Sequence, residues 1–185
     1  MTGKFSRRSA LAGLALLAAA LTAPAAEADT AAEIDAKANL ALNSLLANSE
    51  TAQAINEKAL AVLVFPDVVK AGFGVGGLYG EGVLIRDGVS AGYYNVAAAS
   101  FGLQLGAQSY SQFLYFMTEG ALNTLTSRKG FEIGGDANVA VVNEGVSAEI
   151  SSMTIQDPIV AFVTSQKGLM AGVTIEGSKI TEIDR

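Results

Sequence analysis

The sequence predicts an α+β fold in which N-terminal helices pack on a strongly curved, mainly antiparallel β-sheet or barrel. Apolar residues repeat at helical spacing up to about residue 59, and short β-type runs with glycine-rich turns fill most of the remaining chain. In addition, six glycines fall within the range from Gly72 to Gly82, among apolar residues. Glycine at this density indicates close backbone approach and sharp strand bending, because no Cβ is present to clash.

The same glycines satisfy the G-x-G-x-x-G pattern of dinucleotide-binding loops over residues 72–77. That fingerprint requires a strand directly before the loop and a helix directly after it. Here six residues separate Phe65 from Gly72, and strand-like sequence follows the glycines. We therefore interpret this stretch as curved strand, and the sequence predicts no cofactor.

The first 28 residues have the features of an export signal. A basic start that includes Arg7 and Arg8 precedes an apolar run over residues 11–21, and a small-x-small pattern ends at Ala28. We expect cleavage between Ala28 and Asp29. The apolar run is shorter than the roughly 20 residues of a membrane-spanning helix, which favours cleavage over a retained anchor.

Residues 6–11 resemble a twin-arginine signal, with Ala10 where such signals often carry Phe, and general secretory export is the alternative. The sequence thus predicts a bacterial protein that is periplasmic or secreted, with residues 29–185 as a single domain. The whole chain carries a formal charge of −6, and its first 28 residues hold more basic than acidic groups. The mature domain is therefore more acidic still, which argues against a nucleic-acid partner, since phosphates are bound by clustered Lys and Arg.

Two helical patterns occupy residues 30–59. Thr30 and Glu33 have the spacing of a capping box, which satisfies backbone amides at a helix start. An apolar stripe at helical spacing follows, comprising Ile34, Ala38, Ala41, Leu42, Leu45 and Leu46. A break at Asn48-Ser49 separates this helix from a second one over 50–59. The polar face lacks the basic bias of a membrane-surface helix, so we expect the helices to pack on the sheet.

From residue 60 the apolar period becomes that of strands. We predict a buried strand over 60–65, a turn over 67–71 after Pro66, and an Asp-Gly hairpin at 87–88. The other predicted strands are 72–79, 81–86, 89–98, 101–109, 112–117, 131–133, 137–142, 146–151, 159–164, 169–175 and 179–183. One short helix is predicted over 119–127. Tyr93 and Tyr94 are expected on opposite faces of their strand.

The chain contains no His and no Cys. Their absence excludes Ser-His-Asp and Cys-His nucleophiles and the usual zinc and haem ligands. Asp136 follows two glycines, and we interpret it as a turn residue that accepts backbone hydrogen bonds. Glu81 lies between two glycines and either binds a cation or ligand or occupies an exposed strand position. The sequence predicts neither catalysis nor a bound metal.

Four blocks of sequence resemble a known family. They are residues 62–82, 100–108, 131–137 and 167–177, which read VLVFPDVVKAGFGVGGLYGEG, SFGLQLGAQ, FEIGGDA and KGLMAGVTIEG. Over about residues 33–182 the chain resembles the SYLF-domain family, whose members occur as exported bacterial proteins and as eukaryotic membrane-trafficking proteins that bind lipid. The resemblance implies a non-enzymatic domain that binds a phospholipid or phosphoinositide-like head group at a membrane surface.

The resemblance also selects the candidate lipid-binding residues. The basic residues in or beside the family blocks are Lys70, Arg86, Arg128, Lys129 and Lys167. If the fold brings several of them together, they can hold one phosphate head group despite the acidic total, because screening limits distant charges. The aromatic candidates for an apolar or interfacial contact are Phe73, Tyr79, Tyr93 and Tyr94. The alternatives are scattered solubilising charges and ordinary core aromatics.

Two other classes of function remain open. A structural or protein-interaction module of the cell envelope would use exposed sheet edges or the N-terminal helices to bind another protein. An enzyme would need Glu81, Asp136 or neighbouring carboxylates as a pair about 5–10 Å apart in a cleft. Membrane phospholipid is therefore the predicted partner, and an envelope protein is the second candidate. The actin association of some eukaryotic relatives is not implied, since their motifs for it are not identifiable in this chain.

Overall fold

The structure, a computed structural model, describes residues 28–142, 157–165, 168–169 and 175–185, except for the side chains of 73–75, 100–107 and 168–169. Two helices come first, α1 (Ala31–Asn48) and α2 (Glu50–Asn56).

The predicted capping box starts α1. The Thr30 hydroxyl accepts a hydrogen bond from the Glu33 amide at 3.3 Å, and the Glu33 carboxylate accepts one from the Thr30 amide at 2.8 Å. Ser49 separates the helices and caps α2 by accepting from the Ala52 amide at 3.1 Å. The break at Asn48-Ser49 is thus confirmed, whereas α2 ends three residues before the predicted boundary.

Two very long strands follow and form one hairpin. β1 (Ala61–Arg86) and β2 (Val89–Phe116) pair antiparallel along their whole length. At the predicted turn, Asp87 and Gly88 have φ values of 52° and 77°, the left-handed conformation that an Asp-Gly hairpin uses.

The predicted turn over 67–71 and the division of residues 60–117 into six short strands are wrong. Bulges or irregularities at Phe65/Val68, Gly72/Gly74 and Leu84/Ile85 shift the register without ending the pairing. A bulge inserts an unpaired residue and bends the strand locally. Pro66 and the glycines therefore bend two continuous strands where the sequence pattern indicated several separate ones.

The remaining elements complete an α+β fold. Helix α3 (Glu119–Ser127) has the predicted bounds and is capped by Thr118, whose hydroxyl accepts from the Ala121 amide at 3.3 Å. The other strands are β3 (Gly130–Glu132), β4 (Val139–Val142), β5 (Ile159–Ser165), β6 (Gly168–Leu169) and β7 (Lys179–Ile183).

The described strands form one sheet in the order β3-β7-β2-β5-β4, with β1 paired to β2 and β6 to β5. Only the β4–β5 pair among them is parallel. The predicted fold class, helices on a curved and mainly antiparallel sheet, is confirmed as a curled half-barrel. The predicted strand over 146–151 lies outside the described residues, as does most of the one over 169–175.

The glycines of β1 let this strand pass closely over itself. A Cβ on Gly80 would stand 2.9 Å from the Asp67 carbonyl oxygen, and one on Gly82 would overlap the Val64 carbonyl oxygen. Such distances are closer than real Cβ atoms approach backbone, so only glycine fits there. The predicted close backbone approach is confirmed. The dinucleotide-loop alternative is wrong, because residues 72–77 lie inside a strand.

Each face of the hairpin contributes residues to a buried cluster. The face that we name the α3 face packs against Leu122 and Leu125 of α3, and its β1 and β2 residues include Leu63, Phe65, Val68, Tyr94, Leu114 and Phe116. The opposite face, which we name the α1 face, packs against Ile34, Ala38 and Leu45 of α1 and Ile55 of α2, and it includes Val62, Val64, Phe113 and Tyr115. Full burial of such a Leu, Val or Phe side chain contributes roughly 1.5–3 kcal/mol.

The two helices thus pack on the sheet, as predicted from their polar face. Tyr93 packs against the α1 face and Tyr94 lies in the α3 face, so the predicted alternation of these two side chains is confirmed. Within the described ranges, no helix combines the length and apolar character needed to cross a membrane.

Candidate functional site

Three of the five predicted lipid-binding cations face carboxylates. The pairs are Arg86–Glu119 at 3.6 Å, Arg128–Asp136 at 3.1 Å and Lys129–Glu182 at 3.7 Å. Each cation has a different carboxylate partner, and the side chains are largely exposed. Exposed pairs contribute at most about 1 kcal/mol, yet each carboxylate cancels the charge that a phosphate would use. Each of these three cations thus already has a carboxylate partner of its own.

Lys70 differs from the paired cations. It is half-buried on β1 opposite Gln108 of β2. No carboxylate among the described residues lies within ion-pair distance of its ammonium group. Its neighbour Val69 is 48% exposed. The remaining cation, Lys167, and the side chain of Phe73 lie outside what the structure describes.

A line of polar side chains leads inward from Lys70 along the α3 face. Because side chains alternate along a strand, Lys70 lies on the same face as Val68, which pairs with Tyr110 of β2. Tyr110 is 4% exposed and Gln112, two residues further, is 1% exposed. Burial raises the pKa of the Tyr110 phenol above its usual range, so the hydroxyl keeps its proton at neutral pH.

Gln112 is the polar residue that the sequence interpretation missed. Its side-chain Nε2 is buried and has no hydrogen-bond acceptor within the described part of the chain. The signal that was present is alternation: Gln112 occupies the same strand face as Leu114 and Phe116, where an apolar residue is expected. A lone amide in that position indicates either a buried water or a bound molecule.

Tyr79 and Glu81 form a second polar group, on the other half of β1. The Tyr79 hydroxyl donates to Glu81 Oε1 at 2.7 Å, and the Arg185 guanidinium donates to the same oxygen. Burial and the adjoining Glu81 carboxylate raise the pKa of Tyr79. The Glu81 side chain is only 10% exposed, so the interpretation as an exposed strand position is wrong. The sequence pattern did not indicate the ion pair with Arg185.

Two tyrosines proposed from the sequence have structural roles. Tyr94 is 2% exposed and belongs to the core of the α3 face. Its assignment as an interfacial lipid contact is therefore corrected, because a membrane surface does not reach it. Tyr93 donates a hydrogen bond to Asp35 of α1 at 3.1 Å, and Ser90 donates to the same carboxylate at 2.9 Å. These bonds dock the helix on the hairpin.

Asp136 is confirmed as a turn residue. Its carboxylate accepts a hydrogen bond from the Glu132 amide at 3.0 Å and one from Arg128 at 3.1 Å. Gly134, with a φ of 86°, completes the turn. In the part of the chain that the structure describes, no group of three or more acidic residues is placed to hold a metal ion.

Comparison with known proteins yields a family. A family model for Ysc84, described as "Las17-binding protein actin regulator", matches residues 97–185. Two proteins of Saccharomyces cerevisiae (strain ATCC 204508 / S288c) are similar over 132 residues, or 68% of this chain: "LAS seventeen-binding protein 3" at 29% identity and "Protein YSC84" at 30%. The chain spans 28% of the length of each relative.

The family match begins within β2 and extends through α3 to β7, so it contains Tyr110 and Gln112. It also contains three of the four sequence blocks that carried the resemblance. On these matches the chain belongs to the SYLF-domain family, the family that the Ysc84 model represents.

Proposed function

We propose that this chain is an exported, non-enzymatic domain that binds phospholipid at a membrane surface. The observation that carries the proposal is the unpaired ammonium group of Lys70 within the described part of the chain. Of the four predicted cations whose side chains are described, it alone has no carboxylate partner among the described residues. Its ammonium group is therefore available to a lipid phosphate, whereas Arg86, Arg128 and Lys129 would each have to exchange an existing partner.

The surroundings of Lys70 support contact with a lipid surface. Val69, which is 48% exposed, and Ala71, which is also exposed, adjoin Lys70 along β1 and present an apolar surface on the opposite face of the strand. Apolar groups enter the interfacial region of a bilayer while the cation reaches the phosphate layer. The overall charge of −6 opposes such binding, but screening at physiological salt limits each charge to about 8–10 Å.

Vesicle flotation tests the proposal. The protein is mixed with vesicles of phosphatidylcholine alone or with added phosphatidylglycerol, at low and at moderate salt. We expect flotation that requires the anionic lipid and weakens with salt, because one local cation binds the head group. Salt-insensitive flotation on both vesicles would assign the binding to apolar contacts instead. Absence of flotation with either vesicle contradicts the proposal.

Export is a separate part of the proposal. The basic start, the apolar run and the small residues before Asp29 support removal of a signal and a periplasmic or secreted location. Replacing Arg7 and Arg8 together by Lys tests the route in a bacterial host. Retention of the protein in the cytoplasm supports twin-arginine export. Unchanged export supports the general secretory route, and cytoplasmic wild-type protein with its first 28 residues intact contradicts export.

A protein partner is the second candidate, and the relatives provide the specific reason. The names of the yeast relative and of the matching family describe Las17 binding, which is an interaction with another protein. The chain spans only 28% of the length of that relative, so binding of another protein is a proposal for this chain. Pull-down from cell-envelope extracts tests it. A stable complex in a protein that does not float with vesicles favours the partner over the lipid.

A further inference from the structure

The α3 face holds a hydrogen-bond donor without an acceptor. Gln112 is 1% exposed, and its Nε2 group has no partner among the described residues. Its neighbours across the sheet are Phe65 of β1 and Val163 of β5, whose side chains have no hydrogen-bond acceptor. Leaving a buried amide donor unpaired is costly, so a bound molecule or a water normally supplies the acceptor.

Two further donors connect this amide to the surface. Tyr110 is the next residue on the same face of β2, and Lys70 lies one step further out, opposite Gln108. Facing residues on paired strands lie about 5 Å apart and diagonal neighbours about 7–8 Å apart. The amide of Gln112, the hydroxyl of Tyr110 and the ammonium of Lys70 therefore form a line of donors that runs from the core to the edge of the α3 face.

The net charge of these three donor groups indicates the charge of the ligand that they would bind. Lys70 contributes one positive charge, and no carboxylate in the described part of the chain neutralises it. Tyr110 and Gln112 add neutral donors. One cation with two neutral donors matches a head that carries a single negative charge on oxygen, as a carboxylate or a phosphodiester does.

We propose that Lys70, Tyr110 and Gln112 bind the singly charged oxygen head of one amphiphile, whose first methylene groups lie against Phe65, Val68 and Val163. This inference rests on the proposed lipid function and deepens it. Lys70 pairs with the charged oxygen, and the Gln112 amide donates to the innermost oxygen of the head. The Gln112 amide thereby gains a hydrogen-bond acceptor, and the three donors bind one ligand.

Titration calorimetry on the full chain tests the inference. The first probe is dodecanoate below its micelle-forming concentration, and the second is monomeric dioctanoyl phosphatidylglycerol, so that the two arms distinguish a carboxylate from a phosphodiester. The variants are Gln112→Leu and Lys70→Met. The matched control is Lys179→Met, at an exposed lysine on β7 that has no described ion-pair partner.

We expect at least one probe to bind the wild-type protein with a stoichiometry of one. Binding should weaken roughly tenfold in each of the two site variants, because each variant loses a charge-assisted hydrogen bond. Binding should remain unchanged in the control. Gln112→Leu should also unfold at a higher denaturant concentration than the wild type, since it removes an unpaired donor. Such an increase shows that Gln112→Leu is folded, so its weaker binding is not caused by unfolding.

Two results overturn the inference. If neither probe binds, or if Gln112→Leu binds both probes as the wild type does, the amide holds a buried water only. Flotation with phosphatidylglycerol vesicles separates this outcome from failure of the proposed function. Vesicle binding by both wild type and Gln112→Leu, without binding of either soluble probe, keeps the surface function and removes the internal site. If the protein binds neither the vesicles nor the soluble probes, both the surface function and the internal site are contradicted.

Discussion

Gly82 lies directly against the carbonyl group of Val64, although both residues belong to the same strand. A strand makes such a contact only by turning back across itself, and β1 does so through its bulges and its glycine-rich middle. Because β2 is paired with β1 throughout, the whole hairpin folds with it. Both halves of the hairpin thereby contribute to one α3 face, with Phe65 and Leu84 in the same cluster.

Gly82→Ala tests this crossing. The added methyl would overlap the Val64 carbonyl oxygen and the Phe65 ring, so the two halves of β1 must separate. We expect a loss of about 3 kcal/mol or more in the free energy of unfolding, measured by urea denaturation. The matched control is Gly120→Ala in α3, where a Cβ meets nothing within 4 Å and alanine favours the helix. Equal stability of the two variants would contradict the crossing.

A second prediction concerns two tyrosine hydroxyls on the α1 face. The hydroxyl of Tyr115 is buried without a hydrogen-bond partner among the described residues, whereas that of Tyr93 donates to Asp35 at 3.1 Å. Tyr115→Phe should therefore leave stability unchanged or raise it by about 1 kcal/mol, and Tyr93→Phe should lower it by about 1 kcal/mol. Urea denaturation of both variants gives the comparison. A large loss in Tyr115→Phe would reveal a bound water or ligand at that hydroxyl.

The sequence predicted those elements whose signals are local. The Thr30 and Glu33 capping box, the Asp-Gly turn and the bounds of α3 depend on residues a few positions apart, and each was predicted correctly. The continuity of β1 was missed because a glycine or proline marks either a strand end or a bend, and only pairing with β2 decides between them. The close approach of glycines was predictable, but the residues that they approach were not.

The candidate site was less predictable than the fold. Whether Arg86, Arg128 or Lys129 is free depends on carboxylates that folding brings near, such as Glu182, which lies 53 positions along the chain from Lys129. Composition cannot provide that information. Gln112 was visible in the sequence only as an amide in an apolar strand, and its missing acceptor becomes apparent only when its neighbours are known.

The third prediction is a pH dependence at the start of α1. Hydrogen bonds from the backbone and then the side chain of Thr30 hold the pKa of Glu33 below its usual value. A lowered folded-state pKa contributes stability that is present above the unfolded-state pKa and is lost as the pH falls through the folded one. Glu33→Gln should therefore lower the thermal midpoint at pH 7, and the difference from the wild type should vanish well below about pH 4.

The control for this experiment is Glu57→Gln, at the C-terminal cap of α2. A negative charge is unfavourable at a helix C-terminus, so this variant should not lower the midpoint at pH 7. A loss of stability in Glu33→Gln that persists at acidic pH would show that the glutamate acts through its shape and not through its charge.

The last prediction separates Lys70 from the paired cations. Lys70→Met should weaken binding to phosphatidylglycerol vesicles roughly fivefold at low salt, about the value of one lysine at an anionic surface. The double variant Arg128→Gln with Lys129→Gln should weaken it less, because Asp136 and Glu182 already neutralise those charges at 3.1 and 3.7 Å. Cosedimentation at several salt concentrations measures both effects. If the double variant loses binding while Lys70→Met retains it, the head group lies at the end of α3 and the role given to Lys70 is wrong.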